Sequence, residues 1–222
     1  MKIVKPSFEI LTPIDRESIY KQIELVARTC YKSEDKITDS SAPKMVKALL
    51  NRRHLAMIEH AHVSVKFICD RGVSHEIVRH RLASYAQESS RYCDYSSGKH
   101  GNEITVIQPF FFKEGTPEYA SWFTACKACE VMYLDLLDMG RSPQEARSVL
   151  PNSLKTEIVV TMNLREWIHF FNLRVLGTTG APHPQIKEGS DPQNPEYEEV
   201  WEYEVFNSMV PLWQRRRSEV TK

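Results

Sequence analysis

The 222-residue chain contains no apolar run approaching the roughly 20 residues that a membrane span needs. It also lacks net charge, because 29 basic side chains cancel 29 acidic ones. That balance argues against a protein that coats nucleic acid or an anionic membrane through its overall field, while leaving room for a local basic pocket. The start, Met1-Lys2-Ile3-Val4-Lys5-Pro6, has no apolar signal core. Five cysteines (Cys30, Cys69, Cys93, Cys126, Cys129) are an odd, scattered set, so no disulfide framework is expected and a reduced, cytoplasmic setting is the default. Repeats and low-complexity blocks are missing too. So are GxGxxG after a strand, GxxxxGK[ST], HExxH and GxSxG, which means that a dinucleotide, if bound, is not held by a Rossmann fingerprint. What remains is a globular composition, 41% hydrophobic and 26% charged, which excludes wholesale disorder.

Periodicity divides the chain into helices and strands without a regular βαβ rhythm. Ile19, Ile23, Val26, Ala27, Cys30 and Tyr31 recur at helical spacing over 16–31, and Met45, Val46, Leu49 and Leu50 make a shorter second helix. Val63, Val65, Phe67 and Cys69 alternate, so 62–69 is expected as a half-buried strand. Helical spacing returns from Val73 through Ile77 and Val78 towards Leu82, and 92–102 is polar and loop-like. A long helix is predicted over 118–139, closed by Gly140, and Pro143 opens another that carries Arg147. Leu154, Thr156, Ile158, Val160 and Met162 alternate as a second strand. Asn163 followed by Glu166 resembles a capping box that starts a helix of Trp167, Phe170, Phe171 and Leu173. Prolines and glycines make 177–196 an expected irregular loop, and a last helix is predicted at 197–210. The expected class is α+β with an antiparallel-type sheet, in one domain over 1–222.

Three stretches can carry chemistry. Arg79 to Tyr92 holds three arginines, a histidine, three serines and a glutamine within fourteen residues. Guanidinium forks match phosphate oxygens, and hydroxyls or loop amides complete an anion cradle. A solvated charged face paired to Glu76 and Glu88 is the bland alternative. In Asn163 to Arg174, Arg165 and His169 share a helix face, and Arg174 near the helix end is favourable for structural reasons alone. Arg147 lies before Leu150-Pro151. His54, Glu59, His60 and His62 could form a metal site, though no recognised ligand spacing is present. Cys126-x-x-Cys129 lies inside a predicted helix and reads as packing.

Together these stretches resemble the flavin-dependent thymidylate synthase family, the class unrelated to the cysteine-nucleophile enzyme. Arg79-His80-Arg81, seven residues (LASYAQE) and Ser89 match its signature, with Arg91-Tyr92 following. His54-x4-Glu59-His60, Arg147 before Leu150-Pro151, Asn163-x-Arg165 through Asn172-Leu173-Arg174, and Pro182-His183-Pro184-Gln185 recur in the family's order. The resemblance covers roughly residues 50–190. It implies a homotetramer of α+β subunits with active sites shared between subunits. It also implies FAD as cofactor, NADPH as reductant and 5,10-methylenetetrahydrofolate as carbon donor, acting on dUMP to give dTMP. Neither a resident metal, a nucleic-acid partner nor a membrane is implied.

Carried onto matching positions, Arg79, His80 and Arg81 would contact FAD, with Arg79 also reaching dUMP. Gln87, Glu88, Ser89, Ser90 and Arg91 would bind dUMP, with Gln87 touching FAD as well; Glu76 and Arg147 would also contact dUMP. Ala56, Asn163, Leu164, Arg165 and His169 would line FAD. Arg174 would bind the uracil ring and activate it, the one catalytic residue implied. Ala56 stands where the family often places a hydroxyl residue, Ala86 where a small polar residue is common, and the segment 175–182 behind Arg174 is longer than usual. Ser89 lacks an accompanying base or orienting acid, so it is assigned to binding rather than covalent attack. Two competing readings are an RNA-contacting surface of Arg79–Tyr92 with the Arg215-Arg216-Arg217 tail, where Tyr85 and Tyr92 stack on bases, and a metal-dependent nucleotide hydrolase using His54, Glu59, His60 and His62.

Overall fold

A computed structural model describes residues 1–98 and 101–190. The chain forms two compact units, one of residues 1–8, 66–79 and 85–159, the other of residues 9–65, 80–84 and 160–190 among the described residues. Helices and strands are mixed as expected for α+β. Strands β2 (Ser7–Ile10), β3 (His62–Asp70), β6 (Lys155–Asn163) and β4 (Ala83–Gln87) form one sheet in the order β2-β3-β6-β4. Ser64 bonds Thr161 and Lys66 pairs with Glu157. Partner numbers fall as strand numbers rise, so β3 and β6 are antiparallel. A smaller parallel pair joins β1 (Lys2–Val4) to β5 (Thr105–Ile107).

In the first unit, α4 (Pro117–Asp138) starts where the Thr116 hydroxyl accepts from Tyr119 N–H, with Pro117 at the first helical position. It ends before Gly140, whose φ of 81° suits a residue without a Cβ. Cys126 and Tyr133 of α4 are buried with Tyr95, Ile104, Val106, Ala146 and Leu154 in one core. Burial pushes the Cys126 thiol up to about 11, and Cys129 is also a free thiol, so this pair is packing rather than a redox centre. Helix α5 (Pro143–Ala146) is tied at its start by Ser142, whose N–H and hydroxyl both donate to Glu145. It runs directly into a 3-10 turn, Arg147–Val149.

In the second unit, α1 (Arg16–Thr29) begins at Asp15, which accepts from Glu17 N–H, and buries Tyr20, Ile23 and Ala27. Tyr31 of the expected apolar stripe is 81% exposed, and the helix stops before it. Buried Glu24 is compensated by Arg28 at 2.9 Å and by the Ser41 hydroxyl at 2.8 Å, just before α2 (Ala42–Asn51). Helix α6 (Leu164–Arg174) buries Trp167, Phe170 and Phe171.

Four local expectations differ. The helix from Val73 is α3 (Arg71–Ile77), capped by Asp70, which accepts from Val73 N–H. It does not reach Leu82. Val78 and Leu82, expected on the apolar face, are exposed, and His80 between them is buried. The Asn163 cap accepts from Glu166 N–H, but the reciprocal half of a capping box is not made, because the Glu166 carboxylate turns to His80. The segment 177–196 is not wholly irregular, since Pro184–Ser190 is helical (α7), with proline at the position where its missing N–H costs nothing. Four strands of three to five residues (β1, β2, β4, β5) are too short to show a period. The helix expected at 197–210 and the Arg215–Arg217 run lie outside the described residues.

Candidate active site

Two candidate clusters come into view, one in each unit. In the second unit, His80 of the Arg-His-Arg run meets helix α6. Arg81 is exposed, while His80 points inward at 3% exposure. The His80 ring lies 4.9 Å from Phe170 and edge-on to His169 at 5.5 Å. Its Nδ1 is 3.1 Å from Glu166 Oε1, and its Nε2 accepts from Arg174 Nε at 3.2 Å. Burial, then the charges of Arg174 and His169, lower the His80 pKa to about 4, so the ring is neutral near pH 7. His80, Glu166 and His169 have ligand-type atoms within 4.8 Å of one another. A metal ion is nevertheless disfavoured, because both His80 nitrogens are occupied and a guanidinium sits beside them.

That pKa has a consequence for stability. A histidine in the unfolded chain protonates near 6.5, the folded His80 only near 4. Between those values the unfolded state binds more protons, so this contribution is complete above 6.5 and is lost as pH falls towards 4. Glu166, raised by burial, acts in the opposite sense over the carboxylate range. Replacing His80 with glutamine is expected to flatten the decline of the unfolding midpoint across that window relative to wild type.

A cavity of about 390 Å³ opens in the same unit, walled by Ala27, Leu49, Leu55 and Met57 with Arg53, His54, Ala56 and Arg165. Arg165 is exposed and bonded to Glu59. Asn163 is half-buried with its oxygen committed to the helix cap. Leu164 is buried, its N–H donated to Ala61. His169 is exposed at the surface of α6. Apolar walls suit a flat ring and the nearby cations suit a diphosphate, so this donor set fits a flavin dinucleotide. His183, from the Pro-His-Pro-Gln run, stands just before α7, and its Nδ1 is buried without a hydrogen-bond partner among the described residues.

In the first unit, the turn after β4 carries the second cluster. Ser90 is buried and accepts from Arg147 Nη1 at 3.3 Å. Arg91 donates from Nε to Gln144 at 2.8 Å, which ties the turn to α5, and its guanidinium lies over the Tyr92 ring. The Ser89 hydroxyl accepts from Arg91 N–H, and its carbonyl accepts from Tyr92 and Cys93. Two exposed guanidiniums, a serine pair and turn amides are the makings of an anion cradle. Gln87 is held by donating to Ser74 Oγ at 3.0 Å and Thr156 Oγ1 at 3.2 Å, both buried. The Glu88 carboxylate accepts from Lys155 at 3.2 Å and from the Tyr95 hydroxyl at 3.2 Å. Arg79 is exposed after α3, and Glu76 is half-buried within it.

The two competing readings fare differently. His54, Glu59, His60 and His62 form no metal-type group among the described residues, and Glu59 is paired with Arg165. Tyr85 donates to Ile77 O at 3.0 Å, which pins it against α3, while Tyr92 remains 77% exposed.

A family model described as thymidylate synthase complementing protein matches residues 15–188. The chain belongs to the flavin-dependent thymidylate synthase family. Proteins of that name align from Geobacter sulfurreducens (35% identical, 68% of this chain and 67% of the relative) and Pyrococcus furiosus (34%, 64% and 58%). One from Mycolicibacterium gilvum is 35% identical over 68% of this chain and 66% of its own length. The chain thus spans under two thirds of several relatives. Among solved structures, a UMP/dUMP methylase from Streptomyces cacaoi bound with 5-Br dUMP superposes with a TM-score of 0.69. It covers 90% of this chain and 92% of that one at 21% identity, a likeness of fold. No helix among the described residues is long and apolar enough to cross a membrane.

Sequence reasoning overlooked Glu166, Ser74, Thr156 and Gln144 as partners of signature residues. For Glu166 a signal existed: an acid on the face of α6 that Phe170 shares four residues on, flanked by Trp167.

Proposed function

We propose that the chain methylates dUMP reductively to dTMP, with FAD as cofactor, NADPH as reductant and 5,10-methylenetetrahydrofolate as one-carbon donor, and without a cysteine nucleophile. The observation that carries this reading is the meeting of two signature stretches 94 residues apart, where Arg174 at the end of α6 donates to His80 of the Arg-His-Arg run. FAD, once reduced by NADPH, would supply the hydride that the methylation needs. Ala56, Arg79, His80, Arg81, Gln87, Asn163, Leu164, Arg165 and His169 are the residues assigned to it.

On the substrate side, Arg91, Arg147, Ser89 and Ser90 hold the dUMP phosphate, with Glu76, Arg79, Gln87 and Glu88 completing the nucleotide contacts. Uracil carbon 5 must become electron-rich before it accepts a one-carbon unit. Arg174 stabilises negative charge spread over the ring carbonyl and ring nitrogen, as an oxyanion hole does. A neutral His80 leaves that guanidinium unopposed by a second cation at its Nε. We also assign both units to one catalytic domain, a homotetramer with sites shared between subunits, and a cytoplasmic setting. The family match across both units and the five free thiols support these. No nucleic acid or membrane is required.

Purified protein is expected to take up FAD with the flavin absorbance bands, and to form dTMP from dUMP when the folate and NADPH are supplied. Protein that neither holds FAD nor makes dTMP overturns the reading. Gln87 gives a finer test. Removing both of its acceptors, Ser74→Ala with Thr156→Val, takes away the two hydrogen bonds that hold this half-buried amide, each worth about 0.5–1.5 kcal/mol. Titration with dUMP should then show binding weakened about tenfold or more.

A further inference from the structure

Glu166 has no role in the reading above. It is the third residue of α6, where an acid ordinarily turns back to the helix start. Here it is buried, 7% exposed, and meets His80 Nδ1. On the opposite edge of the imidazole stands Arg174 Nε. A guanidinium has donors only, so His80 Nε2 must present its lone pair. A neutral imidazole with that lone pair carries its proton on Nδ1, and the Glu166 oxygen is then the acceptor. Each bond in the line Glu166–His80–Arg174 requires the next. Phe170 at 4.9 Å and His169 at 5.5 Å crowd the ring against turning over.

We propose that Glu166 is a positioning residue for the methylation: by fixing the Nδ1–H tautomer of His80, it holds the Nε2 lone pair on Arg174 and so sets how that guanidinium meets the uracil ring. This rests on the reading that Arg174 activates dUMP. Without an acceptor at Nδ1, the imidazole proton is no longer confined there. On Nε2 it would face the Arg174 N–H donor to donor and turn the guanidinium aside. The low pKa of His80 keeps the ring in the neutral state that this line needs. An amide oxygen can accept from Nδ1–H as a carboxylate does, whereas an aliphatic side chain cannot.

The tautomer is read by NMR of protein labelled with 15N-histidine, the His80 signals being those missing from His80→Gln. Wild type is expected to carry the proton on Nδ1, and Glu166→Gln to keep both that tautomer and nearly full turnover. Glu166→Leu should lose the tautomer and about 10- to 100-fold in kcat, the usual cost of removing a histidine's orienting partner, with KM for dUMP little changed. A wild-type proton on Nε2, or a Glu166→Leu protein with unaltered tautomer and kcat, overturns the proposal. Should Glu166→Leu not fold, the wild-type tautomer and the glutamine variant still decide. A wild-type protein that makes no dTMP overturns the methylation reading itself, and the role of Glu166 with it. One that makes dTMP with the proton on Nε2 overturns the role alone.

Discussion

Arg174→Ala is expected to leave a folded, flavin-binding protein whose dTMP formation falls by about 100- to 1,000-fold, the range for removing one donor from a charge-stabilising site. The fold should survive because Arg174 is half-buried at the last position of α6, where a cation adds about 0.3–1 kcal/mol through the helix dipole. The loss belongs to the chemical step. Positive charge beside the uracil carbonyl matters most when negative charge has built up on the ring, so kcat should drop more than dUMP affinity. Lysine at this position should not restore the rate, since it has no planar fork and no Nε–H to rest on His80. Single-turnover dTMP formation and dUMP titration on the same preparations separate the two effects. Undiminished methylation by Arg174→Ala would remove the ring-activation role and leave the family assignment standing.

Trp167→Ala is expected to have the largest effect on stability, about 3–5 kcal/mol, as for other buried aromatic deletions. Trp167 is 1% exposed and lies between Phe170 at 5.5 Å and Phe171 at 6.0 Å. Its indole N–H donates to Val63 O at 3.1 Å, so the substitution opens a cavity and also removes a hydrogen bond to a strand carbonyl. For a chain of this size each kcal/mol moves the midpoint by about 2–4 °C, so melting should begin some 6 °C lower at the least. Phenylalanine at 167 keeps most of the volume but lacks the N–H, and should recover more than half of the loss. A midpoint unchanged in Trp167→Ala would mean that α6 is not anchored through this residue. FAD retention measured alongside tells whether the site on α6 depends on that anchor.

Legibility followed the length of the signal. Strands β3 and β6 and helices α1, α4 and α6 run nine residues or more, enough for a period of two or 3.6 to declare itself. The Arg-His-Arg run shows the opposite case. Extending helical spacing through Val78 to Leu82 overruns the end of α3 at Ile77 and misses the burial of His80, which two neighbouring arginines make look solvated. Pro184 was ambiguous for a related reason, since proline both breaks helices and starts them.

The apolar periods along the chain marked the α+β class, and the resemblance carried by its signature stretches marked the family and every arginine proposed to touch substrate. Local chemistry decides those features, and it is written in consecutive residues. Which partner each polar side chain takes was decided only in three dimensions. Glu166 bonds a histidine 86 residues away and Gln87 bonds a threonine 69 residues away, contacts that no spacing rule encodes. Burial is the physical reason. Once His80 leaves water its nitrogens must find protein partners, and the fold supplies an acid on one side and Arg174 on the other.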